Sequence, residues 1–254
     1  MADRVGLTPE EFEFYQQNGY VHVRGLLTPE EAAAYRAECH AIVERIGEND
    51  ATWASQRGTG TKLTHCHDVQ FQSAAFTRLL VDERLTGVSR DIIGPNVQLH
   101  HTKMFIKPPE KGSPFPMHQD YPYFPHADHS MIAAIIHFDD APDEKGCLRV
   151  VPGSHKLGPL EASGDDHHLP QFPLDEATPI PAKAGDAIFM SYLLVHGSGV
   201  NRSNEARTTI LVQLRDPADK PLVEKHGSRG QGMMLAGIDP RREAFAFAWE
   251  RESA

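Results

Sequence analysis

His118 and Asp120 stand two residues apart in Pro116-Met117-His118-Gln119-Asp120-Tyr121, and this spacing has the clearest chemical meaning in the chain. Side chains along an extended segment alternate between faces, so residues two apart point the same way. An imidazole nitrogen and a carboxylate oxygen can then meet at one point. With a second imidazole they make the two-His, one-carboxylate facial set that suits iron(II) and leaves the opposite side of the metal open. The spacing also has a bland explanation. With 15 His and 35 acidic residues in 254, a surface His beside a surface Asp arises readily. The best third donor is His196, at the end of the apolar run from Ala187, where Gly197 leaves room beside the ring. Taken alone, His196 also fits a core histidine bound to a backbone carbonyl.

Further on, Arg207 opens the run Thr208-Thr209-Ile210-Leu211-Val212. An arginine ahead of β-branched and apolar residues faces either solvent or a buried anion. Its planar guanidinium forks onto a carboxylate through two parallel hydrogen bonds, which suits one end of a dicarboxylate. Ser198 can add a hydroxyl to the same group, and Arg215 at the far end of the run is the rival anchor. The other histidines have ordinary readings. His100 and His101 are adjacent and should point oppositely. His167 and His168 lie in a polar loop, and His155 braces a Pro-Gly-Ser-His turn. His126, His129 and His137 lie near the HxD stretch, with contact to substrate as the alternative reading. Tyr121-Pro122-Tyr123-Phe124-Pro125 is either an apolar pocket wall or a Pro-braced connector.

These groups must be held by something stiff. Thr8-Pro9-Glu10-Glu11 and Thr28-Pro29-Glu30-Glu31 are two capping boxes with proline at the first helical position, so two helices begin there. Tyr20–Val23 alternates like a strand, helical patterns return at Ala74–Leu80 and Glu83–Ile93, and Gly94-Pro95 closes them. Val97–Lys107 then reads as a long strand with Val97, Leu99, His101, Lys103 and Phe105 on one face. Short strands alternate with Pro/Gly turns from there: Met131–Phe138, Cys147–Val151, Ala187–Tyr192 and Arg207–Leu214. Glu48–Thr64 is a polar, Gly-rich loop, and Arg241–Trp249 a short C-terminal helix. Helices followed by many short strands point to a mainly β domain, an antiparallel barrel or jelly roll with helices outside it. The whole of 1–254 reads as one domain, with helices over about 8–93, a β core over about 94–216 and an extension over 217–254.

Composition bounds the partners. The chain is 40% hydrophobic and 24% charged, ordinary for a globular protein. A net charge of -10 argues against nucleic acid, which needs a concentrated positive face. No apolar run approaches the roughly 20 residues of a membrane span. Three widely spaced cysteines fit a reducing compartment better than a disulfide framework. With no apolar signal core at Met1-Ala2-Asp3-Arg4 and no Ser-Lys-Leu ending, the expected location is the cytoplasm.

His118-Gln119-Asp120, Gly146-Cys147-Leu148, Val151-Pro152-Gly153-Ser154-His155-Lys156, His196-Gly197-Ser198-Gly199 and Arg207, in this order, resemble the phytanoyl-CoA dioxygenase family. The likeness runs from about Gly94 to Asp216. It implies an iron(II)- and 2-oxoglutarate-dependent oxygenase on a double-stranded β-helix, cupin-like core. By the same likeness His118, Asp120 and His196 are the iron ligands, and Gln119 lies beside the cosubstrate. Ser198 and Arg207 hold its distal carboxylate, and Lys103 and Lys62 add basic contacts. The family's type member has a tryptophan after the HxD motif where this chain has Ile136. The implied reaction hydroxylates a small organic substrate with O2, the 2-oxoglutarate leaving as succinate and carbon dioxide. Family halogenases lack the carboxylate that Asp120 supplies. Two other readings keep the barrel: a non-redox zinc or nickel isomerase or hydrolase, and a non-catalytic small-molecule binder.

Overall fold

The computed structural model describes residues 5–46, 63–164, 167–223 and 227–241, with helices first and strands after them. The repeated Thr-Pro-Glu-Glu stretches act as local chemistry dictates. The Glu11 N–H donates to Thr8 Oγ1 and the Thr8 N–H to the Glu11 carboxylate, which starts α1 (Pro9–Asn18). Thr28 and Glu31 repeat the exchange ahead of α2 (Pro29–Ile46). Between them lies β1 (Tyr20–Val23). Helices α3 (Ala74–Leu80) and α4 (Glu83–Ile93) have the bounds read from the sequence.

Ten further strands follow among the described residues: β2 (Thr64–His67), β3 (Val97–Lys107), β4 (Phe115–His118), β5 (Ile132–His137), β6 (Leu148–Val150), β7 (Thr178–Ile180), β8 (Ala187–Ser191), β9 (His196–Ser198), β10 (Arg207–Arg215) and β11 (Met234–Ala236). They form two antiparallel sheets. The larger runs β1-β8-β5-β10-β3-β11, with β2 also on β3, and the smaller runs β4-β9-β6-β7. From β3 to β10 the chain passes back and forth between the sheets, which is the winding of a jelly roll. The expected mainly β fold is the observed one. Strand β11 lies in the stretch read as a C-terminal extension, yet it pairs with β3.

Each strand of the larger sheet has two environments. Its outer face carries Val97, Met104, Ile136, Phe189, Ile210 and Val212, which share one core with Tyr15, Ile42, Phe76, Leu80 and Leu85 of the helices. At roughly 1.5–3 kcal/mol per large apolar side chain buried, this layer anchors the helices to the sheet. The inner face meets the smaller sheet, where Ala133, Ile188 and Met190 pack on Leu148, Val150 and Ile180.

One expectation fails at a bulge. Gln213 pairs with His101 and Leu214 with Leu99, so β3 carries one extra residue, His100, against β10. The extra residue reverses the alternation. Val97 and Leu99 enter the helix-side core, while His101, Lys103 and Phe105 line the inner cavity. It also overturns the expectation that His100 and His101 point oppositely, since their Nδ1 atoms lie 2.7 Å apart. Lys62, most of the Glu48–Thr64 loop and the expected helix beyond Arg241 lie outside the described residues. None of the described helices is long and apolar enough to cross a membrane.

Candidate active site

Strands β4 and β9 pair so that His118 stands directly opposite His196. Their close approach depends on Gly197, where a Cβ would sit 2.8 Å from both Met117 Sδ and the Phe115 carbonyl oxygen. The two rings lie 4.3 Å apart, centroid to centroid. His118 Nε2 is 3.5 Å and His196 Nε2 3.7 Å from Asp120 Oδ1. One donor atom from each residue falls within 4.8 Å of the others, and all three residues are buried.

The route to this convergence differs from the expected one. Strand β4 ends at His118, and Asp120 has helical backbone angles (φ -74°, ψ -22°) at the start of a 3-10 turn. A turn rather than strand alternation therefore swings the carboxylate back to His118. His196 likewise opens its own strand, after a turn that follows β8.

Ring orientation is fixed from behind. His118 Nδ1–H donates to the Pro116 carbonyl at 2.8 Å and His196 Nδ1–H to the Leu194 carbonyl at 2.9 Å. A carbonyl can only accept, so each Nδ1 carries the proton and each Nε2 presents a lone pair. Burial and His118 push His196 down to about 4, so its ring is neutral at neutral pH. Burial works against the charge on Asp120, but the facing imidazoles outweigh it and hold the carboxyl below its usual range. Two imidazole lone pairs and one carboxylate fit a divalent metal of the iron(II) type.

The same cavity, about 850 Å³, receives Ser198 and Arg207. Arg207 is buried, and burial pushes it down to about 10, which leaves it a cation at neutral pH. Its Nη1 donates to the Gly146 carbonyl, while its Nε has no partner. Gly146 must be glycine here: its φ is 67°, and a Cβ would fall 2.2 Å from the Gly199 carbonyl. Lys103 shares the cavity with its Nζ 5.1 Å from the Phe105 ring centroid, and burial pushes it down to about 8. Arg215 does not line the cavity. It donates to the Asp219 carbonyl and to Gln98 Oε1, which makes it a brace for the fold.

Two expectations are corrected. Gln119 does not line the cavity, because the turn that follows His118 leaves it on the loop side. Its amide donates to the Gly158 and Leu193 carbonyls and accepts from the Leu160 N–H, so it braces loops behind the site. Ile136 packs in the helix-side core, and Ile135 and His137 form the cavity wall at that strand. Tyr123 and Phe124 do line the cavity, which decides for the wall over the connector.

Two groups at the site were missed, Lys107 and Gln213, and a third, His137, was read only as an alternative substrate contact. Lys107 is fully buried and donates from Nζ to Ser198 Oγ and the Gly199 carbonyl, both at 2.7 Å. Gln213 reaches Asp120 Oδ2 at 3.4 Å. His137 faces the cavity two residues in register from Arg207. Of the two missed groups only Lys107 carried a signal, as a lysine ending a long strand.

The chain is similar to known proteins along most of its length. The family model for phytanoyl-CoA dioxygenase (PhyH) matches residues 15–209. Bovine peroxisomal phytanoyl-CoA dioxygenase is 27% identical over 95% of this chain and 78% of its own length. Ectoine dioxygenase of Streptomyces avermitilis is 26% identical over 81% of this chain and 78% of its own. The crystal structure of the epimerase SnoN, in complex with Fe3+, alpha ketoglutarate and nogalamycin RO, superimposes with a TM-score of 0.72. It covers 91% of this chain and 96% of SnoN at 24% identity, which establishes a shared fold. With the family model matching most of its length, this chain belongs to the phytanoyl-CoA dioxygenase family.

Proposed function

We propose that His118, Asp120 and His196 hold iron(II), that Arg207 and Ser198 hold the distal carboxylate of 2-oxoglutarate, and that the enzyme hydroxylates a C–H bond of a small organic metabolite. The protein is a dioxygenase of the iron(II)- and 2-oxoglutarate-dependent class. One observation carries the residue assignment: a single cavity holds two groups with complementary needs. The triad is a cation site, and Arg207 is a buried cation with no carboxylate partner among the described residues. A keto acid with a second carboxylate answers both.

When bound, iron(II) with 2-oxoglutarate and O2 supplies the oxidising power, the keto acid leaving as succinate and carbon dioxide. The chain supplies position. The Pro116 and Leu194 carbonyls keep both Nε2 lone pairs aimed at one point. Asp120 stays ionised and occupies the place that a halogenase leaves to halide. Arg207 forks onto the far carboxylate, Ser198 is held toward it by Lys107, and Phe105, Phe115, Leu148 and Leu211 keep water from the keto acid. Lys103 offers a further positive contact nearer the triad. The part of the cavity lined by His65, His67 and Tyr123 leaves room for the organic substrate. The relatives' names, phytanoyl-CoA and ectoine dioxygenase, support a scaffold that accepts unlike substrates. A non-redox metal enzyme would not need Arg207 and Ser198 aligned on one cavity, and the intact donor set argues against a binding protein. Three buried, unpaired cysteines fit a cytoplasmic setting.

The test is metal content and succinate release. Wild-type protein binds about one iron(II) per chain, while His118→Ala and His196→Ala lose the metal and keep the fold. Full iron occupancy in both variants overturns the ligand assignment. A metabolite screen scored by succinate release identifies the substrate.

A further inference from the structure

His137 ends β5 directly opposite Thr209 of β10, on the face that also carries Arg207. It is 1% exposed, and its backbone is satisfied: its N–H donates to the Asp186 carbonyl and its own carbonyl accepts from the Gly185 N–H. The side chain is not. Neither ring nitrogen has a hydrogen-bond partner, although the ring lies on the cavity. Buried polar atoms without partners are rare and costly, and here four facts bear on the missing one. The ring adjoins a buried guanidinium whose Nε is also unpartnered. Burial and Arg207 push His137 down to about 3, so it is a neutral imidazole with one N–H to donate. Thr209, its register partner, also lines the cavity. The triad, with its demand for a cation, is a separate group on the smaller sheet. A donor beside a buried cation calls for an anion.

We propose that His137 is a cosubstrate-binding residue, its ring N–H donating to the same distal carboxylate that pairs with Arg207. The inference rests on the reading of Arg207 as the 2-oxoglutarate anchor. It gives this chain a three-sided pocket for that carboxylate: guanidinium, Ser198 hydroxyl and imidazole.

The test pairs a truncated residue with a truncated ligand. Iron-loaded protein is titrated under nitrogen with 2-oxoglutarate and with 2-oxopentanoate, which keeps the keto acid but ends in a methyl group. His137→Leu weakens 2-oxoglutarate binding about ten- to a hundredfold and leaves 2-oxopentanoate binding unchanged. Thermal unfolding of the metal-free protein separates a binding role from a structural one. Replacing an unpartnered buried ring by an apolar side chain leaves the melting temperature unchanged or raises it by a few degrees. A histidine braced by an internal water would show the reverse, a lowered melting temperature and no loss of 2-oxoglutarate affinity, and that overturns the proposal. Equal losses for both keto acids overturn it too. Arg207→Ala is the control for the underlying reading. If Arg207→Ala binds 2-oxoglutarate as wild type does, the anchor assignment and the role of His137 fall together. If only His137→Leu has no effect, the anchor stands and the role of His137 falls.

Discussion

The two faces of β10 obey different rules. On the helix side Thr208, Ile210, Val212 and Leu214 are fully buried, and the three apolar ones belong to the core shared with the helices. On the other side Arg207, Thr209, Leu211 and Gln213 line the cavity. Buried atoms of Arg207 and Gln213 have no partner there, and the same holds for His137 across the strand gap. One backbone thus carries a face closed by apolar packing and a face that turns polar groups toward a cavity. The first follows from packing. The second stores unmet demand for hydrogen bonds and charge, and that demand is the material of specificity.

The comparison breaks most visibly at its two arginines. Arg207→Ala leaves a carboxylate without its partner in a sheltered site and should cost roughly 3–5 kcal/mol, or two to four decades of 2-oxoglutarate affinity, with iron content near wild type. Arg207→Lys should recover only part, because an ammonium lacks the planar fork. Arg215→Ala should instead lower the melting temperature and leave the keto-acid titration alone, since Arg215 braces Asp219 and Gln98. The iron-to-keto-acid charge-transfer band under nitrogen reads all three. If Arg215→Ala weakens that titration and Arg207→Ala does not, the two ends of the strand have been assigned the wrong way round.

A smaller effect tests the apolar face. Ile210→Ala should destabilise the fold by about 2–5 kcal/mol through lost burial and a cavity, with keto-acid affinity within twofold of wild type. Denaturant unfolding and the same titration check the separation, and a comparable loss in both would show that the faces are coupled.

The smallest effect is a slope in pH. His137 is held near 3 by burial, Arg207 and His22, against the pull of Asp186, whereas an unfolded histidine titrates near 6.5. Between those values the unfolded chain binds the extra proton, so stability falls as pH drops through that window. From pH 6.5 to 5 this group alone should cost roughly 2 kcal/mol. The metal-free His137→Leu protein should therefore lose less melting temperature than wild type between pH 7 and pH 5. Parallel curves for the two proteins would place the acid sensitivity elsewhere.

Local chemistry was legible in the sequence and long-range register was not. Thr8 with Glu11 and Thr28 with Glu31 announce their helices because the interacting groups are three residues apart. The bounds of β3 follow from the breakers on either side of it, Gly94-Pro95 before and Pro108 after. His118, Asp120 and His196 could be picked by residue type, but the turn that folds Asp120 back needs the Tyr192 carbonyl, which accepts its N–H. The bulge at His100 arises from pairing with β10, more than a hundred residues away, and nothing at His100 itself marks it. The role of Lys107 also depends on a distant partner, Ser198, 91 residues on. His137 looked ordinary because its neighbour in space, Arg207, is seventy positions on.

The carbonyls behind His118 and His196 have an evolutionary consequence. Pro116 and Leu194 orient the two rings with main-chain atoms, and each lies two residues before the histidine it holds. No side-chain replacement at those positions deletes a main-chain oxygen. The metal centre therefore inherits its aim from the path of the chain, and lineages can exchange the cavity wall, residue by residue, without retuning the centre each time. A scaffold whose relatives include enzymes named for phytanoyl-CoA and for ectoine is what such a division of labour would leave behind.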